Sequence, residues 1–181
     1  VQYGYANYVT PAKLLEHARI ESDGSVSLRG RKYRTLAVLF EPLPPPELLP
    51  LLERFVAAGG RLIWSGPPPR LDLAGQPILD RWKKLCGVQT LHTTHEGLTL
   101  PGTLVTFEGT LRQVSPQALL TDLRVDQVWP VEAIHDHAIV ARIGSRVVGV
   151  RHAPNTQGSV TYLGFRPRDD QAASLGHEVQ T

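Results

Sequence analysis

The feature that most constrains the fold is the stretch from Tyr33 to Pro69, YRTLAVLFEPLPPPELLPLLERFVAAGGRLIWSGPPP. Two apolar runs, Thr35–Phe40 and Arg61–Ser65, flank a segment whose leucines recur at helical spacing. A Gly-Gly pair ends that segment, and the triple proline Pro44–Pro46 fixes an extended connection before it. The stretch therefore predicts strand, helix, strand, which is the βαβ unit of a parallel sheet.

The first of these strands is predicted to be covered on both faces. The run Thr35–Phe40 is almost entirely apolar, which is typical of a strand with helices above and below its sheet. In the segment that follows, Pro50 is expected near the start of the helix, where proline is tolerated. One face of this helix carries the apolar residues Leu48, Leu51, Leu52, Phe55 and Val56.

Further helices are predicted on either side of this unit. Thr10 and Pro11 form an N-cap and first helical position, and an apolar stripe then favours a helix over 11–19. A second pattern favours a helix over 77–85, which Gly87 ends. Alternation at Val26 and Leu28 indicates a short strand between the first helix and the βαβ unit.

The second half of the chain has a different character. From about 88 to 165, short alternating segments replace helical patterns, and Gly144-Ser145 is typical of a hairpin turn. We expect largely antiparallel strands here, some of which extend the first sheet. The whole pattern predicts a single α/β domain over 1–174 with a β-rich C-terminal half, followed by a linker or the start of another domain at 175–181.

Composition excludes several classes of partner. The 181 residues carry a net charge of +2, and the densest basic cluster (Arg29, Arg31, Lys32, Arg34) is typical of a solvated turn, so no nucleic-acid partner is expected. No apolar run approaches the roughly 20 residues that span a bilayer, so no membrane partner is expected. A single cysteine leaves the compartment open. Because the chain has no methionine and begins at Val1, we expect a piece of a longer protein.

No residue pattern indicates a nucleophile or a cofactor. Cys86 follows a predicted helix rather than a strand, and Ser65 lacks the flanking glycines of a nucleophile elbow. No glycine-rich phosphate loop follows a strand, so no nucleotide cofactor is predicted. The histidine pairs His92/His95 and His135/His137 lack a third ligand, so no metal site is predicted.

Three residues are candidates for binding a ligand. Glu41 follows the first core strand, and Trp64 and Ser65 end the next one. Open α/β sheets bind ligands beyond the carboxyl ends of their strands. A sugar or another small ligand is therefore one candidate partner at these three positions.

Three segments together resemble a known family: GRKYRTLAVLFEP, LLERFVAAGGRLIWSGPPP and GSVTYLGFRP. They are similar to the glutamine-amidotransferase-like accessory domain of multidomain glycoside hydrolases, known in family 42 β-galactosidases as the trimerisation domain. The resemblance implies a flavodoxin-like three-layer α/β sandwich without amidotransferase activity. Its firmest points are Tyr33, Gly59, Gly60, Gly66, Gly158 and Gly164.

Three functional hypotheses follow from these observations. The first is a non-catalytic structural domain of a larger carbohydrate-active protein, with other domains of the same polypeptide or further copies as partners. The second is a carbohydrate-binding or small-ligand-binding module that uses Glu41, Trp64 and Ser65. The third is a stand-alone hydrolase with a histidine-based site at His92, His135 and His137.

Overall fold

The computed structural model describes residues 8–90, 98–99, 103–114, 117–118, 126–155 and 157–165. Within them, the strands form one seven-stranded mixed sheet and three smaller antiparallel sheets. The α/β class predicted from the sequence is confirmed.

The helices are α1 (Pro11–His17), α2 (Leu48–Ala57) and α3 (Leu79–Cys86), with 3₁₀ turns at Gly109–Leu111 and Asp136–Ala138. The first seven strands are β1 (Arg19–Ile20), β2 (Val26–Leu28), β3 (Arg31–Tyr33), β4 (Thr35–Leu39), β5 (Arg61–Ser65), β6 (Val88–Thr90) and β7 (Leu98–Thr99). The remaining strands are β8 (Leu104–Phe107), β9 (Gln117–Ala118), β10 (Asp126–Gln127), β11 (Val131–Ala133), β12 (Ile139–Ile143), β13 (Arg146–His152) and β14 (Ser159–Leu163). The large sheet has the strand order β4-β5-β14-β13-β12-β8-β9. The smaller sheets have the orders β1-β2-β3, β11-β6 and β10-β7.

The predicted βαβ unit is confirmed. Strands β4 and β5 pair in parallel, with Thr35 opposite Arg61 and Leu39 opposite Ser65, and α2 connects them. Pro50 lies in the first turn of α2, and Gly59 follows the helix at φ 106°, a conformation that glycine adopts without steric cost. The predicted apolar face of α2 is buried throughout.

The helices form a connected layer. Helix α2 contacts both α1 and α3, and α3 contacts β14. Arg81 of α3 donates to Glu53 of α2 through Nε and Nη2, at 2.7 and 2.6 Å. Thr10 caps α1 as predicted, and Gly87 ends α3 in the left-handed conformation. Helix α1 ends at His17, two residues earlier than predicted, because β1 begins at Arg19.

The prediction that both faces of the first strand are covered is wrong. Among the described residues, strand β4 lies at the edge of the large sheet. Thr35, Ala37 and Leu39 are exposed, while Leu36 and Val38 are half-buried. The apolar run predicted burial on both faces because it contains almost no polar residue. The position of the strand in the sheet decides its exposure instead.

The β-rich second half extends the first sheet, as predicted. Strand β14 pairs in parallel with β5, and β13, β12 and β8 continue the sheet in antiparallel fashion. Gly144 and Ser145 form the predicted hairpin turn between β12 and β13. The sheet therefore changes from parallel to antiparallel at β14. No helix within the described ranges is long and apolar enough to cross a membrane.

Candidate functional site

The carboxyl ends of β4 and β5 bring two loops together. The loop after β4 (40–47) and the loop after β5 (66–78) lie side by side, because the two parallel strands end at the same edge of the sheet. Phe40 N donates to Ser65 O at 2.8 Å, and Leu73 N donates to Pro44 O at 3.0 Å. All three predicted ligand-binding residues lie at this end of the sheet.

The backbone is strained where β4 ends. Phe40 has φ 55°, in the left-handed region that bulky residues rarely adopt. Gly66 of the neighbouring loop has φ 111°, and a Cβ built there would lie 3.2 Å from the Cα of Phe40. Strain of this kind persists where the surrounding structure holds it, and it is concentrated at functional sites.

Glu41, the next residue, lines a cleft along β4. The cleft has a volume of about 880 Å³ and lies among β4, α1, α2 and the small sheet β1-β2-β3. We call it the β4 cleft. Its apolar lining includes Leu14, Leu36, Val38 and Leu52. Its charged residues and its one histidine are Lys13, His17, Arg29, Arg31 and Glu41.

Partial burial raises the pKa of the Glu41 carboxyl above its ordinary value of 4.5. A carboxyl whose pKa is raised by folding stabilises the folded state below its unfolded pKa, and this contribution is lost as pH rises through the folded pKa. Partial burial therefore disfavours the charged form of Glu41 in the folded state. This combination of cleft position and raised pKa is common at binding sites.

The effect of pH on Glu41 gives a first prediction. Glu41→Gln is expected to increase the free energy of unfolding relative to the parent chain at pH 7 more than at pH 4, because the amide carries no charge to desolvate. Thermal unfolding at both values measures this. Glu132→Gln, at an exposed position on β11, is the control. Equal effects of the two substitutions at both pH values would contradict the prediction.

Trp64 does not face solvent. Its side chain is fully buried, its Nε1 donates to Pro67 O at 3.2 Å, and its ring lies edge-on to Trp82 with centroids 6.1 Å apart. Trp82 in turn lies edge-on to Tyr162 at 5.1 Å. Trp64 is therefore part of the aromatic core between the large sheet and α3.

Ser65 is also buried, and its hydroxyl is already bonded. Its Oγ donates to Phe165 O at 2.6 Å, which ties the end of β5 to the residues that follow β14. Of the three predicted ligand-binding residues, only Glu41 therefore offers an accessible side chain. Ligand binding at this end of the sheet stays a prediction.

Cys86 lies at the end of α3 and is fully buried. Burial raises the pKa of its thiol well above the ordinary value, so that the reactive thiolate is disfavoured. The structure thus gives the side chain the properties of a small core residue.

The burial of Cys86 gives a second prediction. Its labelling by a thiol reagent at pH 8 is expected to be on the order of 100-fold slower in the folded chain than in urea, since labelling requires an opening of the fold. A Ser145→Cys/Cys86→Ala variant places the only thiol in the exposed hairpin turn and should react at once. Rapid labelling of Cys86 in the folded parent chain would contradict the prediction.

The histidines do not form a metal centre in the described part of the chain. The rings of His135 and His137 stack at 5.3 Å with an interplanar angle of 6°, but a 3₁₀ turn rather than a strand brings them together. No group of three or more metal-ligating side chains occurs among the described residues. His92 and His95 lie outside them.

Sequence reasoning missed an exposed apolar patch at the same end of the sheet. Five large apolar side chains of the two adjacent loops and the end of β4 are between 42% and 66% exposed. We call them the apical patch: Leu39, Phe40, Leu43, Leu71 and Leu73. Contiguous exposed apolar side chains are typical of surfaces that contact another protein or domain. In the sequence, two members of the patch end the apolar run Thr35–Phe40, and the other three are isolated leucines in predicted loops.

Solved structures share this fold. Gan42B, a GH42 β-galactosidase from G. stearothermophilus, matches 82% of this chain at 15% identity with a TM-score of 0.53. A β-galactosidase from Bacillus circulans sp. alkalophilus matches 81% at 15% identity with a TM-score of 0.55. The cytoplasmic protein STM1381 from Salmonella typhimurium LT2 matches 81% at 14% identity with a TM-score of 0.52. No protein-family model and no curated protein matches the sequence.

The fraction of each matched chain that this chain covers differs widely. This chain spans 21% and 22% of the two β-galactosidases, and 66% of STM1381. At these identities the likeness shows a shared fold and not a shared activity. The resemblance to a domain found in large glycoside hydrolases is confirmed at that level. The same fold also makes up most of a shorter chain, so it is not restricted to large enzymes.

Proposed function

We propose that this chain is a non-catalytic interaction domain of a larger carbohydrate-active protein. Its amidotransferase-like fold would pack on another domain of the same polypeptide or join copies of the chain, as the trimerisation-type resemblance implies. The observation that carries the proposal is the likeness to about a fifth of each matched β-galactosidase chain, which is the share expected of one domain.

The side chains at the sheet support a non-catalytic role. A nucleophile has to reach substrate, yet Cys86 is buried and the hydroxyl of Ser65 donates to a backbone carbonyl. Among the described residues, neither side chain is hydrogen-bonded to a basic group that could activate it. Five of the exposed side chains at this end of the sheet are the apolar ones of the apical patch, which suit packing rather than acid–base chemistry.

Activity assays test the proposal directly. The 181-residue chain is expected to show no turnover of aryl glycosides or of glutamine above a buffer blank. Size-exclusion chromatography controls for a trace contaminant, because an activity that belongs to another protein does not co-elute with this chain. Robust turnover by the purified chain in either assay would overturn the proposed function.

The packing surface is tested by charge substitution. Leu43→Glu/Leu73→Glu is expected to reduce self-association of the chain, measured by light scattering at high concentration, without lowering its melting temperature. Leu104→Glu, at a side chain that is 55% exposed on β8, is the matched control. If the control reduces association as much as the double variant, the apical patch is not the contact surface.

Glu41 favours a second candidate function, a carbohydrate-binding or small-ligand-binding module. A partly desolvated carboxylate at the mouth of a cleft, beside the strained Phe40, has the features of a binding group. Calorimetry against a glycan panel tests this candidate. Saturable binding that Glu41→Ala weakens and Glu47→Ala leaves unchanged would support it, and no binding across the panel would remove it.

A further inference from the structure

Strand β4 presents backbone hydrogen-bonding groups along the β4 cleft. Arg61 N of β5 donates to Arg34 O, directly before β4, so the even-numbered residues of β4 direct their backbone groups toward β5. The N–H and C=O groups of Thr35, Ala37 and Leu39 therefore point away from β5, and all three residues line the cleft. Among the described residues, β4 pairs with no strand other than β5. Such an edge is a template for another strand.

The floor of the cleft is apolar and belongs to the main core. Leu14 of α1, Val26 of β2 and Leu52 of α2 line the cleft and are buried. Leu36 and Val38 of β4 line it as well and pack against the same core. Successive side chains of a strand point to opposite faces of the sheet, so a strand laid along β4 directs every second side chain toward this floor. The floor therefore suits an occupant with apolar side chains at alternate positions.

One end of the cleft is basic. Lys13 of α1 and Arg29 and Arg31 of the β2–β3 hairpin line the cleft with exposed side chains. None of these three cations forms an ion pair with a described carboxylate. The hairpin leads directly into the amino end of β4, whereas Glu41, the one acidic residue of the described lining, follows its carboxyl end. The charges therefore favour an occupant with carboxylates at the end beside the hairpin.

We propose that the β4 cleft binds an extended segment of another polypeptide as an additional strand on the edge of β4. The segment has apolar side chains at alternate positions and carboxylates at the end that lies beside the β2–β3 hairpin. Backbone groups of Thr35, Ala37 and Leu39 hold the segment, and Arg29 and Arg31 pair with its carboxylates. Main-chain hydrogen bonds supply the affinity of such strand addition, and alternate side chains supply its specificity. The inference rests on this edge and this cleft and is independent of the proposed function.

NMR titration of the 181-residue chain with two synthetic heptapeptides with blocked ends tests the proposal. One has the sequence Glu-Glu-Val-Thr-Val-Thr-Val, and the other carries the two glutamates at its carboxyl end. At least one is expected to bind saturably and to slow exchange of the Ala37 and Leu39 amides on the order of 10-fold at saturation. The tighter peptide shows the direction of the added strand. The amides of Leu36 and Val38, which face β5, are the internal control.

Two kinds of matched control separate the backbone contacts from the charge contacts. N-methylation of the valine and threonine amides of the tighter peptide removes strand pairing and should abolish binding. Arg29→Gln/Arg31→Gln is expected to weaken binding about 10-fold at low salt, through the loss of two exposed ion pairs. Arg19→Gln/Lys32→Gln removes the same charge from exposed positions of the small sheet outside the cleft lining, and it should leave the affinity nearly unchanged.

Several outcomes would overturn the proposal. Absence of saturable binding by both peptides is the first, and equal weakening by the two double variants is the second. Binding only to a chain shortened by residues 1–7 would mean that the chain itself covers the edge. Saturable binding of dodecanoate but of neither peptide would assign the cleft to a small amphiphilic anion. Protection of Ala37 that grows with protein concentration, without peptide, would assign the edge to a second copy.

Discussion

Gly158→Ala is expected to lower the free energy of unfolding by about 3 kcal/mol, because the neighbouring backbone leaves no space for a methyl group at this position. Gly158 precedes β14 and lies against the end of α2, where a Cβ would overlap the carbonyl oxygen of Val56. Its N–H also donates to Asn155 Oδ1 at 2.5 Å, and the Asn155 amide donates to Ala57 O at 3.2 Å, so the turn cannot move away without losing these bonds.

Urea denaturation followed by circular dichroism measures the loss. Gly144→Ala is the matched control, because Gly144 has φ 56° but no heavy atom within 4 Å of a built Cβ. Gly144→Ala is expected to lower the free energy of unfolding by about 1 kcal/mol, the cost of placing alanine in the left-handed backbone conformation. If the two substitutions cost the same, the turn relaxes away from Val56 and close approach does not determine the cost at 158.

Steric and conformational constraints also explain why glycine occupies other positions on which the family resemblance rests. A Cβ on Gly60 would overlap the ring of Phe55, and one on Gly164 would overlap the carbonyl oxygen of Trp129. Gly59 and Gly66 instead adopt φ 106° and 111°. The glycine pattern in the sequence therefore marks two kinds of position: close approaches at Gly60 and Gly164, and left-handed backbone at Gly59 and Gly66.

Local features made the βαβ unit predictable. Helical spacing of leucines, the Thr10 cap, the Gly59-Gly60 stop and the left-handed Gly87 are each decided by neighbouring residues in the chain. The parallel pairing of β5 with β14 is of a different kind. These strands are separated by almost the whole second half of the chain, and no local pattern specifies which strand becomes the neighbour of β5.

The difference between local and long-range determinants also explains how much of the candidate site the sequence could predict. The sequence placed Glu41, Trp64 and Ser65 at strand ends, and the structure has them there. It could not show that Phe165, a hundred residues away, accepts the hydroxyl of Ser65, or that α3 covers the indole of Trp64. The sequence also could not show that β4 lies at an edge of the described sheet, because the exposure of an apolar strand depends on which elements lie next to it.

The second large effect is expected at Trp82, which joins α3 to the sheet. Its side chain is fully buried and lies edge-on to the rings of Tyr162 and Trp64. Trp82→Ala removes these contacts and leaves a cavity under α3, so we expect a loss of about 4 kcal/mol in the free energy of unfolding. A loss of that size is a large fraction of the stability of a typical domain.

Trp82→Phe separates the hydrogen-bonding part of this effect from the packing part. The Nε1 of Trp82 is buried with no hydrogen-bond partner among the described residues, whereas that of Trp64 donates to Pro67 O. Phenylalanine at 82 therefore removes an unpaired donor, but phenylalanine at 64 leaves a carbonyl without its partner. We expect Trp82→Phe to cost less than half of Trp82→Ala and less than Trp64→Phe, as measured by urea denaturation at 222 nm. An equal cost for the two Trp→Phe substitutions would mean that ring volume alone determines stability at both positions.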